Sequence, residues 1–205
     1  MRIYLVTDEG LLLGKDLYRT VEAAVKGGVS MVQLREKESS TREFVERAIR
    51  LKEVLTPYGV PLIINDRVDV ALAANADGVH VGQSDMPYEM VKRLLPEGKI
   101  IGLSVESPEQ VLEANNYDLD YVAASPVFST TTKTNTIVEW GLDGLRWIRS
   151  VSRHPLVAIG GIHSNNVASI CKAGADSVAV ISAIVSADDP ERAARELLEK
   201  SGEPH

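Results

Sequence analysis

Lys172-Ala173-Gly174-Ala175-Asp176-Ser177-Val178-Ala179-Val180 reads as the last residue of a helix, a turn of small residues and a strand with no polar face. The phrase stands twice earlier, as Lys26-Gly27-Gly28-Val29-Ser30-Met31-Val32-Gln33-Leu34 and as Ala74-Asn75-Ala76-Asp77-Gly78-Val79-His80-Val81-Gly82. An apolar run that does not alternate is the mark of a parallel strand buried on both faces. Such runs recur at residues 3–6, 31–34, 62–64, 78–81, 100–105, 121–124, 156–159 and 178–181, eight in all. Amphipathic stretches lie between them, at 17–26, 41–55, 69–74, 88–95, 108–114, 142–151, 166–173 and 190–200. Thr41 is the expected cap of the second, while Pro108 after Ser107 and Pro190 after Asp189 fit proline at a first helical position.

Eight strands alternating with eight helices leave an open doubly wound sheet or a closed (β/α)8 TIM barrel. An open sheet needs more polar edge strands, and none of these runs is polar, so the barrel is the expected fold. No linker or low-complexity segment interrupts residues 1–205, which are read as one domain. At 205 residues the chain is short for a barrel of the usual size of about 250, so its loops must be trimmed.

Composition narrows the function. The chain carries 29 acidic and 22 basic residues, a formal charge of −7, which disfavours nucleic-acid binding while leaving room for an anionic small molecule in a locally basic pocket. One cysteine, Cys171, excludes an internal disulfide and reads as a small hydrophobe. No membrane-length apolar segment and no signal-peptide pattern are present, so a cytoplasmic enzyme is expected.

Barrel chemistry gathers where strands end. After the second strand come Gln33, Arg35 and Lys37, an amide, a guanidinium and an ammonium that suit a multiply charged phosphate. Beyond the third and fourth strands stand Asn65-Asp66 and Gln83-Ser84-Asp85; paired carboxylates Asp66 and Asp85 suit magnesium, which shares its ligands with water and substrate. Arg67 and Asp69 read as structural. Ser104 offers one hydroxyl at the fifth strand, and the threonine-rich stretch 130–136, with Lys133, offers hydroxyls, backbone N–H groups and one more charge, as a lid over substrate or as a polar surface loop. Gly160-Gly161 and Ile181-Ser182 follow the last two strands, where barrels often hold a phosphate on backbone amides. His80, inside the fourth strand, reads as structural, and His154, His163 and His205 show no evident partner.

In order and spacing, Val32-Gln33-Leu34-Arg35-Glu36-Lys37, Ile64-Asn65-Asp66-Arg67, Gly78-Val79-His80-Val81-Gly82-Gln83-Ser84-Asp85, Thr130-Thr131-Thr132-Lys133-Thr134 and Ala158-Ile159-Gly160-Gly161-Ile162 resemble the thiamine-phosphate synthase family. The resemblance implies a condensation of hydroxymethylpyrimidine pyrophosphate with hydroxyethylthiazole phosphate, with Mg2+ as cofactor. It implies that Gln33, Arg35, Lys37, Asn65, Ser104 and Lys133 hold the pyrimidine pyrophosphate and that Asp66 and Asp85 bind the metal. Thr130, Thr131 and Thr132, with Gly161, Ile181 and Ser182, would serve the thiazole phosphate. Barrels of this size often pair, so a homodimer is compatible with it. A related thiazole tautomerase branch uses a histidine two residues beyond the serine of the fifth strand; Glu106 stands there and counts against that alternative, while the acidic pair and Lys133 count against a non-catalytic thiazole-phosphate binder. Two departures are Ser129, where proline is frequent, and Trp140, which has no account in the sequence.

Overall fold

The computed structural model describes residues 2–129 and 139–202. Eight parallel strands close a barrel in sequence order: β1 (Arg2–Val6), β2 (Val29–Leu34), β3 (Leu62–Asn65), β4 (Gly78–Val81), β5 (Ile100–Val105), β6 (Tyr121–Ala124), β7 (Leu156–Ile159) and β8 (Ser177–Val180). Closure is made by β1 against β8, with Ile3 opposite Val178 and Leu5 opposite Val180. Helices α1 (Leu17–Lys26), α2 (Thr41–Leu55), α3 (Val68–Ala73), α4 (Tyr88–Leu94), α5 (Pro108–Ala114), α6 (Gly141–Val151), α7 (Val167–Lys172), α8 (Ser182–Val185) and α9 (Pro190–Lys200) fill the connections. Most boundaries lie within a residue or two of those expected. The four-residue α8 was not foreseen, because it is too short to show a period.

The repeated phrase has a physical cause at each step. Gly28, Asn75 and Gly174 lie at φ 108°, 46° and 106°, the positive-φ conformation that ends a helix; asparagine is the side chain that tolerates it best after glycine. Two residues beyond Asn75 and Gly174, Asp77 accepts from the N–H of Leu62 and Asp176 from that of Leu156, each at 2.8 Å. Asp120 does the same for Ile101, at 2.8 Å. Each aspartate therefore satisfies an amide at the start of the preceding strand, at the barrel's base.

Two apolar layers result. One lies between strands and helices and includes Leu5, Leu34, Ile64, Leu51 and Ile148, all fully buried. The other fills the barrel itself, with Tyr4, Val6, Ile63, Tyr121, Ala123, Val157 and Ala179. Helix α2 is capped by Ser40 rather than Thr41: Ser40 Oγ accepts from Glu43 N, and the Glu43 carboxylate accepts from Ser40 N. That reciprocal pair needs Glu three residues after the cap, a spacing Ser40 has and Thr41 lacks.

Candidate functional site

At the C-terminal mouth of the barrel a cavity of about 900 Å3 is lined by Gln33, Arg35, Lys37, Asn65, Asp66, Asp85, Ser104, Gly161, Ile181 and Ser182 among others. Every candidate that falls on described residues is therefore on one wall or another of the same space. Thr130, Thr131, Thr132 and Lys133 lie outside the described residues.

The charged wall begins where β2 stops at Leu34, so Arg35 and Lys37 reach the mouth from the following loop rather than by strand alternation. Arg35 is tied at both ends: its N–H donates to Thr7 Oγ1 at 3.1 Å, and its guanidinium donates to Asp8 Oδ2 at 2.6 Å. Lys37 Nζ lies 2.9 Å from Asp66 Oδ2. Glu36 turns away to Arg47, at 2.7 Å, and so does not neutralise its neighbour Lys37. Asp66 sits at φ 62°, just past β3, with its N–H donating to His80 O at 2.8 Å. It is not a helix cap; Arg67 occupies the cap position of α3, and with Asp69 it forms a surface ion pair at 2.6 Å.

Asp85 is anchored by Gly82 N, which donates to Oδ2 at 2.8 Å. Partial burial pushes the Asp85 carboxyl above the ordinary carboxylate range, and the adjoining Asp66 carboxyl pushes it further. Two carboxylates sharing one space invite a cation, and here Lys37 is already beside one of them. Among the described residues no group of three or more His, Cys, Asp or Glu could hold a metal. A metal at Asp66 and Asp85 would draw its remaining ligands from water and from a bound anion, as Mg2+ does in phosphate sites.

The floor holds groups that the strand-end reading passed over. Gln33 Nε2 donates to Tyr4 Oη at 2.6 Å, Tyr4 and Tyr121 hydroxyls lie 2.9 Å apart, Tyr121 Oη is 3.0 Å from His80 Nδ1, and His80 Nε2 is 2.9 Å from Ser104 Oγ. His80 thus points into the barrel, not toward the helices. The clue in the sequence is Gly102: it pairs in register with His80 on one side and Tyr121 on the other, and the Tyr121 ring lies across it to stack on His80, centroids 5.5 Å apart. A Cβ at Gly102 would sit 2.1 Å from Tyr121 Cζ. His154, by contrast, is buried outside the mouth against the carbonyls of Ala114 and Leu119.

The neutral wall is built by backbone. Val127 N donates to Ile159 O at 2.8 Å and Phe128 N to Gly160 O at 3.2 Å, laying the segment after β6 on the end of β7. Asn166 Nδ2 donates to Gly161 O at 2.8 Å and braces the glycine pair from below. Trp140 has a role here: its indole N–H donates to Val105 O at 3.1 Å, its own N–H donates to Pro126 O, and its ring stacks on Trp147. It pins the start of α6 to the end of β5. Glu106 also lines the cavity.

A (β/α)8 barrel whose mouth sets cations and a carboxylate pair against a neutral backbone wall is of the class that handles phosphorylated small molecules. Residues 3–184 match the family model described as thiamine monophosphate synthase. The chain is 52% identical over 197 residues to a thiamine-phosphate synthase of Albidiferax ferrireducens, covering 96% of this chain and 90% of the relative. It is 50% identical over 197 residues to one from Vibrio campbellii, covering 96% of each. A solved thiamine phosphate pyrophosphorylase of Pyrococcus furiosus superposes with a TM-score of 0.88 at 40% identity, over 97% of this chain and 94% of that one. The chain belongs to the thiamine monophosphate synthase family, an enzyme family of transferases in thiamine biosynthesis.

Proposed function

We propose that the chain joins 4-amino-2-methyl-5-hydroxymethylpyrimidine pyrophosphate to 4-methyl-5-(2-hydroxyethyl)thiazole phosphate, or its carboxylate form, releasing pyrophosphate. The observation that carries this reading is the meeting of Arg35, Lys37, Asp66 and Asp85 in one cavity with Gly161 and Ser182 opposite. One wall is suited to a leaving group and the other to an acceptor phosphate.

The acidic pair fits Mg2+: hard oxygen donors, with the Asp85 carboxyl pushed up by burial and then by Asp66, so that a divalent cation would offset both. Bound there, Mg2+ would supply Lewis-acid charge to the departing pyrophosphate. Arg35, held by Asp8, presents its remaining donors to the same anion, while Lys37 is placed to exchange Asp66 for it. Lys133 adds a third cation, Asn65 and Ser104 fix the pyrimidine end, and Thr130, Thr131, Thr132, Gly161, Ile181 and Ser182 hold the thiazole phosphate. The pyrophosphate leaves first, and the resulting pyrimidinylmethyl cation is stabilised by the substrate's own amino group. The chain therefore needs placed charge and aligned substrates rather than a nucleophile. Within this reading residues 1–205 act as one domain, the partners are the two small molecules with no nucleic acid or membrane, and the enzyme works in the cytoplasm, as a homodimer. No helix among the described residues is long and apolar enough to cross a membrane.

The test is pyrophosphate release with both substrates and Mg2+, against each omission. Release only from the complete mixture is expected; no product from authentic substrates would sink the reading. Turnover persisting in EDTA and in Asp66→Ala would point instead to the tautomerase chemistry that Glu106 already disfavours.

A further inference from the structure

The charged wall contains a hidden acid. Arg35 and Lys37 line the cavity, while Glu36 between them points away, with its side chain only 3% exposed. Its Oε2 accepts from the Arg47 guanidinium at 2.7 Å and from Ser39 Oγ at 2.6 Å. The same guanidinium donates to Glu9 Oε1 at 2.9 Å. That bond is the main reason the Glu9 carboxyl is held below its ordinary range. One cation therefore holds two carboxylates that would repel each other without it. Arg47 itself stands on α2, 29% exposed and outside the cavity lining, so it reaches the site only through its partners.

Between the end of β2 at Leu34 and the start of α2 at Thr41 the chain belongs to neither ladder, so side chains decide which way residue 36 points. Without Arg47, a carboxylate buried to this degree is left uncompensated, which is strongly unfavourable. Relief lies one residue away on either side. A turn of the loop brings the carboxylate to the half-exposed Lys37 ammonium or to the Arg35 guanidinium, which makes a single bond to Asp8. The wall would then carry an anion of its own where a phosphate belongs.

We infer that Arg47 is a positioning residue that sequesters Glu36, so that the Arg35-Glu36-Lys37 run presents two cations and no competing carboxylate to a diphosphate. This rests on the proposed reading of the charged wall. The run has a net charge of +1 in sequence, and it acts as +2 toward the cavity because the acid in its middle is bound elsewhere.

The experiment measures, by calorimetry, dissociation constants of inorganic pyrophosphate with Mg2+ and, separately, of 4-methyl-5-(2-hydroxyethyl)thiazole phosphate. The proteins are wild type, Arg47→Met, Glu36→Gln and the double variant. Arg47→Met is expected to weaken pyrophosphate about tenfold or more and to leave thiazole phosphate within about twofold. Glu36→Gln alone should stay within about threefold of wild type, and the double variant should recover to the same level, because the competitor is gone. A support for the fold would instead weaken both ligands and would not be rescued by a second substitution. Wild-type affinity for pyrophosphate in Arg47→Met, or a double variant as weak as Arg47→Met, overturns the inference. So does a Glu36→Gln that loses tenfold by itself, a result readable even if no protein lacking Arg47 folds. Independently of any ligand, a crystal structure of Arg47→Met should place the Glu36 carboxylate within about 4 Å of Lys37 or Arg35, and a Glu36 that stays beside Ser39 overturns it. If wild type binds no pyrophosphate while Glu36 moves in the variant, the reading of the charged wall fails and the sequestration of Glu36 stands.

Discussion

Gly102→Ala should be among the most damaging single-methyl additions in the chain. In an ordinary strand the same change gains about 0.5–1 kcal/mol, because alanine has less backbone freedom to lose. Here the new Cβ would lie 2.1 Å from Tyr121 Cζ and 2.3 Å from its hydroxyl. Reaching ordinary contact near 3.4 Å requires the ring to retreat by about 1.3 Å. It has nowhere to go: Tyr4 packs edge-on against it at 5.9 Å between centroids and His80 stacks on its face at 5.5 Å. Overpacking of this kind costs about 1–3 kcal/mol, and a shift of that size breaks the hydroxyl's two bonds, to Tyr4 and His80, at about 1 kcal/mol or more each. The expected loss is therefore about 3–5 kcal/mol. Urea unfolding followed by circular dichroism should show the midpoint falling at unchanged m, and the thermal midpoint should drop by roughly 6–20 °C. In a Tyr121→Ala background the same Gly102→Ala change should cost almost nothing, because the atom it collides with is gone. A loss below about 1 kcal/mol in the wild-type background, or equal losses in both, would refute the wedge.

Asp85→Asn should abolish the calorimetric signal of Mg2+ with pyrophosphate while leaving the metal-free fold no less stable at neutral pH. Because the Asp85 carboxyl is raised in the folded state, its ionisation disfavours the fold: the contribution is present below the ordinary carboxylate pKa of about 3.9 and is lost as pH rises through the raised value. Urea midpoints in EDTA should thus favour the Asp85→Asn variant most at the high-pH end, and a gain confined to acid pH would reverse that sign. Lys37→Ala removes a half-exposed ammonium 2.9 Å from Asp66, so stability should move by less than about 1 kcal/mol while kcat falls about 10²–10³-fold; comparable losses in both would make it a structural pair. Gly161→Ala places a methyl 2.8 Å from Phe128 Cβ and 2.8 Å from Ser129 O at φ 65°, which should cost about 1–3 kcal/mol and raise KM for the thiazole phosphate more than for the pyrimidine. Equal KM changes would separate the glycine from the neutral wall.

The barrel was legible because its signal is redundant. Each strand has an apolar run that does not alternate, and the helix–turn–strand phrase repeats with glycine, or asparagine standing in for it, at the one positive-φ position. The rim was legible for a related reason: Arg35, Lys37, Asp66 and Asp85 are charged residues within four positions of the ends of buried strands, and all four line the one cavity. The floor was not. Tyr4 and Tyr121 sit inside apolar strands and read as hydrophobes, since a hydroxyl's partners come from strands 29 and 117 residues away. His80 looked structural on the same ground, whereas it bonds Ser104 and lines the cavity. The N-cap of α2 was misassigned between two adjacent hydroxyl residues, although Glu43, three positions after Ser40, discriminates them. Trp140 had no reading at all, because its hydrogen-bond partner, the Val105 carbonyl, is backbone and leaves no trace in sequence, and its stacking on Trp147 shows only in the fold.

The pairing of β1 with β8 has a consequence for how the molecule is born. Strand β1 leaves the ribosome first, yet its second neighbour is translated about 170 residues later. At typical elongation rates of about 5–20 residues per second, that edge stays open for roughly 9–35 s. Through this interval an apolar strand offers unpaired amides to any other nascent chain, the situation in which strands recruit the wrong partner. The interior face of β1 carries Tyr4, and β8 brings Ala179 into the same interior and Ile181 and Ser182 to the cavity wall, so a chain that ends before β8 lacks part of both.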